Sequence, residues 1–222
     1  MSASLHRLSN VRRANETVKV SASERQRMTD LAAGKIRELF DILHIDHVND
    51  HNTRDTPERV ARMLVEDVNR GRFCDPPAVT TFDNPGEYDE LIVTGPISVV
   101  STCAHHMLPI YGEAYIGILP SPTGRLVGLS KYDRIVDHFA GRLQIQEELV
   151  RQIGQHIMDL TAPRGVAVRI SAVHMCKTHR GVFASRSSRM VTTTFLGEMQ
   201  DGEAKRQFIA ECNALERSLS CR

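Results

Sequence analysis

The 222-residue sequence contains no tryptophan, and aromatic residues make up only 5% of it. Surfaces that bind single-stranded nucleic acid stack bases on aromatic side chains, so this composition argues against such a surface. The formal net charge is +1, which provides no overall basic field for nucleic acid or an anionic membrane. The sequence also lacks an apolar run of signal-peptide or transmembrane length, and we expect a cytoplasmic protein.

Cysteine is sparse too, with five residues in no disulfide-framework spacing, a usage that suits a reducing compartment. The contents of hydrophobic (41%) and charged (25%) residues are ordinary, and the length suffices for one sizeable core with a helical appendage. We find no internal repeat and no Walker-type glycine-rich loop. We therefore expect side chains to bind any phosphate group, and we do not expect a phosphoryl-transfer reaction.

The order of the predicted elements indicates an α+β protein. We expect a flexible arm over residues 1–20 and a helical segment over residues 21–90. In that segment Ser21 and Glu24 have capping-box spacing, and Thr56 is predicted as the N-cap of a second helix reaching about residue 70. Strand-like segments dominate the main domain, residues 91–222. They are interrupted by helices near 129–141 and 145–161 and followed by a closing helix near 204–218.

Two short segments concentrate side chains that bind metals and transfer protons. Cys103 and His106 form a Cys-x-x-His pair, and Cys176 lies far downstream. Three such ligands can hold zinc and leave a fourth tetrahedral position open, as in catalytic sites. In a strand predicted over residues 165–176, His174 shares a face with Cys176, beside the metal. His105 is then available as an acid or a base.

Plainer interpretations of these residues remain open. Free cysteines are often small buried hydrophobic residues. A zinc ion could also be structural, if His105, His174 or a neighbouring subunit supplied a fourth ligand. Arg59 and Arg62 are three residues apart on one face of a predicted helix, which on its own indicates a solvated face.

Six segments, in order over roughly residues 25–215, resemble GTP cyclohydrolase I. They are Thr56-Pro-Glu-Arg-Val-Ala-Arg-Met63, Ser101-Thr-Cys-Ala-His-His106, Gly128-Leu-Ser-Lys-Tyr-Asp-Arg-Ile135, Gln144-Ile-Gln-Glu-Glu-Leu149, Val173-His-Met-Cys176 with Arg180-Gly181, and Val191-Thr-Thr-Thr-Phe-Leu-Gly197. The resemblance implies the tunnelling fold, in which antiparallel sheets and helices from several subunits form a barrel. It also implies a homodecamer with shared active sites. The implied reaction converts GTP to formate and 7,8-dihydroneopterin triphosphate, the first step of tetrahydrofolate and pterin biosynthesis.

The resemblance also implies a role for each matching residue. By this resemblance, Zn²⁺ is held by Cys103, His106 and Cys176, and the catalytic residues are His105, His174 and Ser130. The residues expected to bind GTP are Glu147, Gln146, Lys131, Arg134, Arg180, Arg59 and Arg62. Glu147, with Gln146 near it, is expected to grip the guanine, and the basic residues to surround the ribose and triphosphate.

One position departs from the family pattern. Ala104 stands where the family usually has Glu, and a methyl group cannot join a hydrogen-bond network. We therefore expect slowed or retuned activity. Two alternatives are a tunnelling-fold relative that uses GTP with another metal or product, and a non-catalytic subunit with structural zinc or bound nucleotide. Analysis of the products would distinguish the first alternative from GTP cyclohydrolase I. Loss of the fold on metal removal would support the second alternative.

Overall fold

The computed structural model describes residues 11–220, with side chains up to residue 217. The first ten residues of the predicted arm and Cys221 lie outside the described residues. Two compact units are present, Met1–Asp75 and Pro76–Arg222. Among the described residues, no helix is both long and apolar enough to cross a membrane.

The first unit is helical. Helix α1 (Ala22–Ile42) begins with the predicted capping box, in which the Ser21 hydroxyl accepts the Glu24 N–H and the Glu24 carboxylate accepts the Ser21 N–H. Helix α2 (Thr56–Arg62) starts one residue earlier than predicted: Thr56 is already helical and Asp55 is the N-cap. The predicted α-helix to about residue 70 is wrong in its second half, because the chain widens into a π-helical turn, Met63–Val68.

The second unit contains seven strands and four helices in the described residues. The strands are β1 (Thr81–Asp83), β2 (Ile92–Cys103), β3 (Pro109–Leu119), β4 (Arg125–Val127), β5 (Leu143–Gln144), β6 (Gly165–His174) and β7 (Arg189–Gly197). The helices are α3 (Ser130–Ala140), α4 (Gln146–Thr161), α5 (Met175–Thr178) and α6 (Gly202–Ser220). Strands β5-β2-β3-β6-β7 form one sheet, antiparallel except for the short β2–β5 pair, and β1 pairs with β4. The predicted α+β class, with a largely antiparallel sheet and packed helices, is confirmed.

The large sheet is covered by α3 and α4 on one face and by α6 over part of the other, whereas Val100 and Tyr111 stay exposed. Residues such as Ile116 and Val168 pack with the apolar faces of α3 and α4 in the larger core cluster. The alternate residues, including Tyr115 and Ala167, pack against Phe208 of α6. Strand side chains alternate between faces, so each strand supplies residues to both cores.

The end of β6 differs from the sequence prediction. The strand was expected to continue to Cys176, but it stops at His174 and the chain turns into α5. The carbonyl oxygen of Met175 accepts the His179 N–H at 2.9 Å, which closes a single helical turn. Cys176 therefore lies on a helical turn beyond the strand, and the prediction that it shares a strand face with His174 is wrong.

Candidate metal centre and active site

Two of the predicted metal ligands lie on the tight turn that joins β2 to β3. Cys103 is the last residue of β2, and its carbonyl oxygen accepts the Met107 N–H at 2.8 Å. Its own N–H donates to the carbonyl oxygen of Leu108, also at 2.8 Å. These two bonds close a loop around His106, and Met107 takes a positive φ of 54° to complete it. The turn therefore fixes the backbone of both ligands.

The third predicted ligand, Cys176, follows β6, which pairs with β3. Ile110, near the start of β3, is paired with His174 at the end of β6, so α5 begins next to the turn. The Sγ atoms of Cys103 and Cys176 and a ring nitrogen of His106 all lie within 4.8 Å of one another. Ligand atoms around tetrahedral zinc are about 3.5–4 Å apart, given bond lengths of about 2.0–2.3 Å. The three side chains therefore fit a zinc ion after small adjustments.

The two thiols are close enough to influence each other. Burial, followed by the hydrogen bond and the charge of Cys103, raises the pKa of the Cys176 thiol, and the Arg180 guanidinium opposes this rise. Cys103 is buried and Cys176 half-buried, whereas His106 is exposed. A divalent cation would offset the repulsion between two thiolates held this close, which fits the chemistry of the donor set.

The other two histidines of the site differ in their surroundings. His105 is exposed on the turn, with Nδ1 3.8 Å from the Sγ atom of Cys103. His174 is half-buried, and its Nε2 lies 2.7 Å from Oε1 of Gln146. Burial lowers the pKa of His174, with Lys177 adding to this, while the carboxylate of Glu147 acts in the opposite direction. The site thus contains one solvated imidazole and one that is held within the protein.

The first two residues of α4 point in different directions. Gln146 is only 1% exposed, and its side-chain amide contacts β6 and β7 as well as His174. Glu147 is exposed and lines a cleft of about 490 Å³. The cleft runs between α4 and the edge strand β7, where Thr192, Thr193 and other residues complete its wall. The amide of Gln146 is engaged within the protein, and its predicted place beside the guanine-binding Glu147 stays a prediction.

Comparison with known proteins places this chain in a family. The family model described as GTP cyclohydrolase I matches residues 32–213. The chain belongs to the GTP cyclohydrolase I family. It is 39% identical over 175 residues to a GTP cyclohydrolase 1 of Flavobacterium johnsoniae, covering 78% of this chain and 77% of that protein. It is 44% identical over 160 residues to a GTP cyclohydrolase 1 of Nitrosospira multiformis, covering 71% and 82%.

A third relative and one solved structure complete the comparison. A GTP cyclohydrolase 1 of Brucella anthropi is 45% identical over 148 residues, which cover 66% of this chain and 68% of that protein. The crystal structure of the apo archaeosine synthase QueF-Like covers 49% of this chain and 92% of its own, with 15% identity and a TM-score of 0.38. That structural likeness is too low to bear on function. Membership in the GTP cyclohydrolase I family identifies the protein as an enzyme of this type.

The remaining predicted residues lie on other elements. Ser130, Lys131 and Arg134 occupy the first turns of α3, where Ser130 and Arg134 are exposed and Lys131 is half-buried. Arg180 is exposed just beyond α5. Their roles in binding GTP stay predictions.

Arg59 and Arg62 belong to the first compact unit. Both are exposed on α2, and the Arg59 guanidinium donates to the Asp55 carboxylate at 3.1 Å. This ion pair agrees with the solvated helix face that their spacing indicates. Their predicted contact with the triphosphate stays a prediction.

Sequence reasoning missed the bond between Gln146 and His174. The available signal was a glutamine at the first position of an amphipathic helix, in a place that the apolar pattern assigns to the core. A buried polar side chain needs partners, and here a histidine of the site is one of them.

Proposed function

We propose that this protein is a zinc-dependent GTP cyclohydrolase I, which hydrolyses GTP to formate and 7,8-dihydroneopterin triphosphate. Family membership supports the reaction. The observation that carries the zinc dependence is the convergence of Cys103, His106 and Cys176 within 4.8 Å. Two thiolates and one imidazole form a ligand set that zinc enzymes use with a fourth position open. The histidines His105 and His174 beside this set favour a catalytic role over a purely structural one.

Bound to these three ligands, zinc would supply Lewis acidity that lowers the pKa of a water molecule to roughly 7. The protein's own side chains carry the proton transfers. His105 is exposed on the turn and can exchange protons with solvent. His174 is half-buried and held in a fixed position. Hydrolysis at C8 of the purine, release of formate and closure of the pterin ring require several such transfers, which imidazoles perform near neutral pH.

Glu147 is the residue that we propose for choosing the base. Its carboxylate is exposed at the first turn of α4 and lines the cleft beside β7. A carboxylate can accept two hydrogen bonds from the N1–H and 2-amino groups of guanine. Adenine lacks this pair of donors, so it would leave the carboxylate unsatisfied and would be rejected.

We propose that basic side chains bind the triphosphate. Arg forks match phosphate oxygens, and Lys supplies a point charge. The candidates, with Ser130 beside them, are Lys131, Arg134 and Arg180, together with Arg59 and Arg62. The net charge of +1 is compatible with this role, because only the local charge around the phosphates matters.

The proposal includes three further predictions. The protein is a homodecamer with active sites shared between subunits, it works in the cytoplasm, and it performs the first step of tetrahydrofolate and pterin biosynthesis. The family resemblance supports all three. The exposed edge of β7 in a single chain, where Val191 is 48% exposed, is compatible with a neighbouring subunit at this edge.

The test is GTP turnover by the zinc-loaded protein, following formate release and the fluorescence of the oxidised, dephosphorylated neopterin. Cys176→Ser removes one proposed ligand, and Cys212→Ser is the matched control, since Cys212 is a buried thiol in the other core cluster. We expect both products from wild type and Cys212→Ser, with zinc content and turnover lost in Cys176→Ser. Binding of GTP without either product would refute the proposal. Full turnover by metal-free protein would refute the zinc dependence.

A further inference from the structure

The side chain of Gln146 is surrounded by fixed partners. Its Nε2 lies 3.1 Å from the carbonyl oxygens of both Ile170 and Met190, and 3.0 Å from the Thr192 hydroxyl. Its Oε1 lies 2.7 Å from Nε2 of His174. At 1% exposure, the amide has all of these contacts inside the protein, between α4 and the β6–β7 pair.

These partners determine which way the amide points. The backbone carbonyl oxygens of Ile170 and Met190 can only accept hydrogen bonds, so the group that faces them must be the NH₂. The reverse orientation would bring three oxygens together and leave buried polar groups unsatisfied, which is strongly disfavoured. The carbonyl oxygen of Gln146 must therefore be the atom that faces His174.

The orientation of the amide in turn determines the protonation of the imidazole. An amide oxygen has no hydrogen to donate, so a bond of 2.7 Å requires His174 to be the donor. The Nε2 atom of His174 must then carry a hydrogen whether the ring is neutral or charged. In the neutral ring, the lone pair is confined to Nδ1, since the hydrogen bond at one ring nitrogen sets the state of the other.

We propose that Gln146 is a positioning residue that holds neutral His174 as its Nε2–H tautomer and so leaves Nδ1 as the ring atom with the free lone pair. The catalytic part of this inference rests on the proposed function, whereas the tautomer does not. The inference also gives Gln146 a role different from contact with the base: its side chain orients a catalytic histidine. Glu147, the next residue, remains the candidate for the base.

The first measurement is the tautomer itself. In zinc-loaded protein labelled with ¹⁵N at the histidine rings, two-bond ¹H–¹⁵N correlations distinguish protonated from unprotonated nitrogens, and His174→Asn assigns the signal. We expect Nε2 protonated and Nδ1 unprotonated in wild type. Gln146→Met, which fills the space but removes the acceptor, should lose this preference. An Nδ1–H tautomer in wild type, or an unchanged preference in Gln146→Met, would overturn the proposal.

The matched control is Gln144→Met. Gln144 is also 1% exposed, and its amide donates to the Phe139 carbonyl oxygen and to Gln152. This variant makes the same change at a buried glutamine that belongs to another network. It should leave the His174 signal in place. If Gln144→Met loses the tautomer preference as fully as Gln146→Met does, core disruption explains the effect and the proposal is refuted.

Kinetics with GTP separates positioning from base contact. For Gln146→Met we expect kcat to fall by about 10²-fold or more, as for loss of a well-placed general acid or base, with KM for GTP little changed. A raised KM with unchanged kcat would instead indicate that Gln146 contacts substrate, and would contradict the inference. Absence of turnover in the wild-type protein would count against the proposed function alone, because the tautomer measurement requires no GTP.

Discussion

Gly112 lies on β3 where the backbone of β6 approaches closely, two residues from the pair that Ile110 makes with His174. A Cβ atom added at this glycine would lie 2.1 Å from the carbonyl oxygen of Ser171 and 2.6 Å from Cα of Ala172. Both contacts are with backbone, so no side-chain rotation can relieve them. In Gly112→Ala the strands must separate locally by about 1 Å, because carbon and oxygen atoms repel steeply inside van der Waals contact.

We estimate the cost of this separation from two contributions. Overpacking a well-filled site costs about 1–3 kcal/mol, and one or two weakened ladder hydrogen bonds add about 0.5–1.5 kcal/mol each. The expected loss in the free energy of unfolding of Gly112→Ala is therefore about 1.5–6 kcal/mol. On the proposed function, zinc content should also fall, because β3 and β6 carry the turn and α5 that bring the three proposed ligands together.

Equilibrium unfolding in guanidinium chloride, followed by circular dichroism, measures this loss. Gly34→Ala is the matched control: it makes the same chemical change within α1, where an added Cβ meets nothing within 4 Å. That variant should be unchanged or more stable by up to about 1 kcal/mol, given the helix propensities of the two residues. If Gly112→Ala unfolds at the same denaturant concentration as wild type, the reasoning from the close approach of β3 and β6 is wrong.

Three further predictions concern the core, the sheet and pH. Phe208→Ala should cost about 3–5 kcal/mol in thermal or denaturant unfolding, because this fully buried ring packs directly on Gly117. Arg189→Met should cost about 0.5–2 kcal/mol, because the guanidinium pairs with the partly exposed Glu113 and also donates to the Ser171 carbonyl oxygen; a loss above about 3 kcal/mol would contradict this. Burial lowers the pKa of His156, and Asp159 opposes this shift. As the pH falls, His156 therefore binds a proton in the unfolded chain before it does so in the folded chain. Stability should then fall as the pH drops below about 6.5. His156→Phe should weaken that fall, and an unchanged pH dependence would refute the assignment.

Much of the fold could be predicted from local signals. The capping box at Ser21 and Glu24 located the start of α1 correctly, since both bonds are formed between residues three apart. Helices α3 and α4 begin within one residue of their predicted starts, because amphipathic spacing and turn residues are local properties. The longer strands β2, β3, β6 and β7 were recognised from runs of β-branched residues, which favour extended backbone, whereas the short β1 and β5 were not.

The errors occur where tertiary contacts decide the structure. The segment that ends at Cys176 is rich in β-branched residues, which predicts a strand over its whole length. No local signal in it indicates that the chain turns into α5 after His174. The three metal ligands could be proposed from residue type and spacing, but their approach depends on the pairing of β3 with β6. The partners of Gln146 come from β6 and β7, which are more than 20 residues away in sequence. Such long-range contacts cannot be read from a local pattern.

The first turn of α4 connects the two halves of the proposed chemistry. Gln146 is held inside the sheet and bonded to His174, while Glu147 is exposed in the cleft. Adjacent residues share the backbone at the helix start, so Glu147, the residue proposed to bind the base, begins its side chain at a fixed place relative to Gln146 and the end of β6. On the proposed function, this backbone would hold the base-binding residue near His174 without movement of a loop. Positioning of this kind lowers the entropic cost of reaching the transition state, and it gives a physical reason for a buried glutamine at the place where the helix begins.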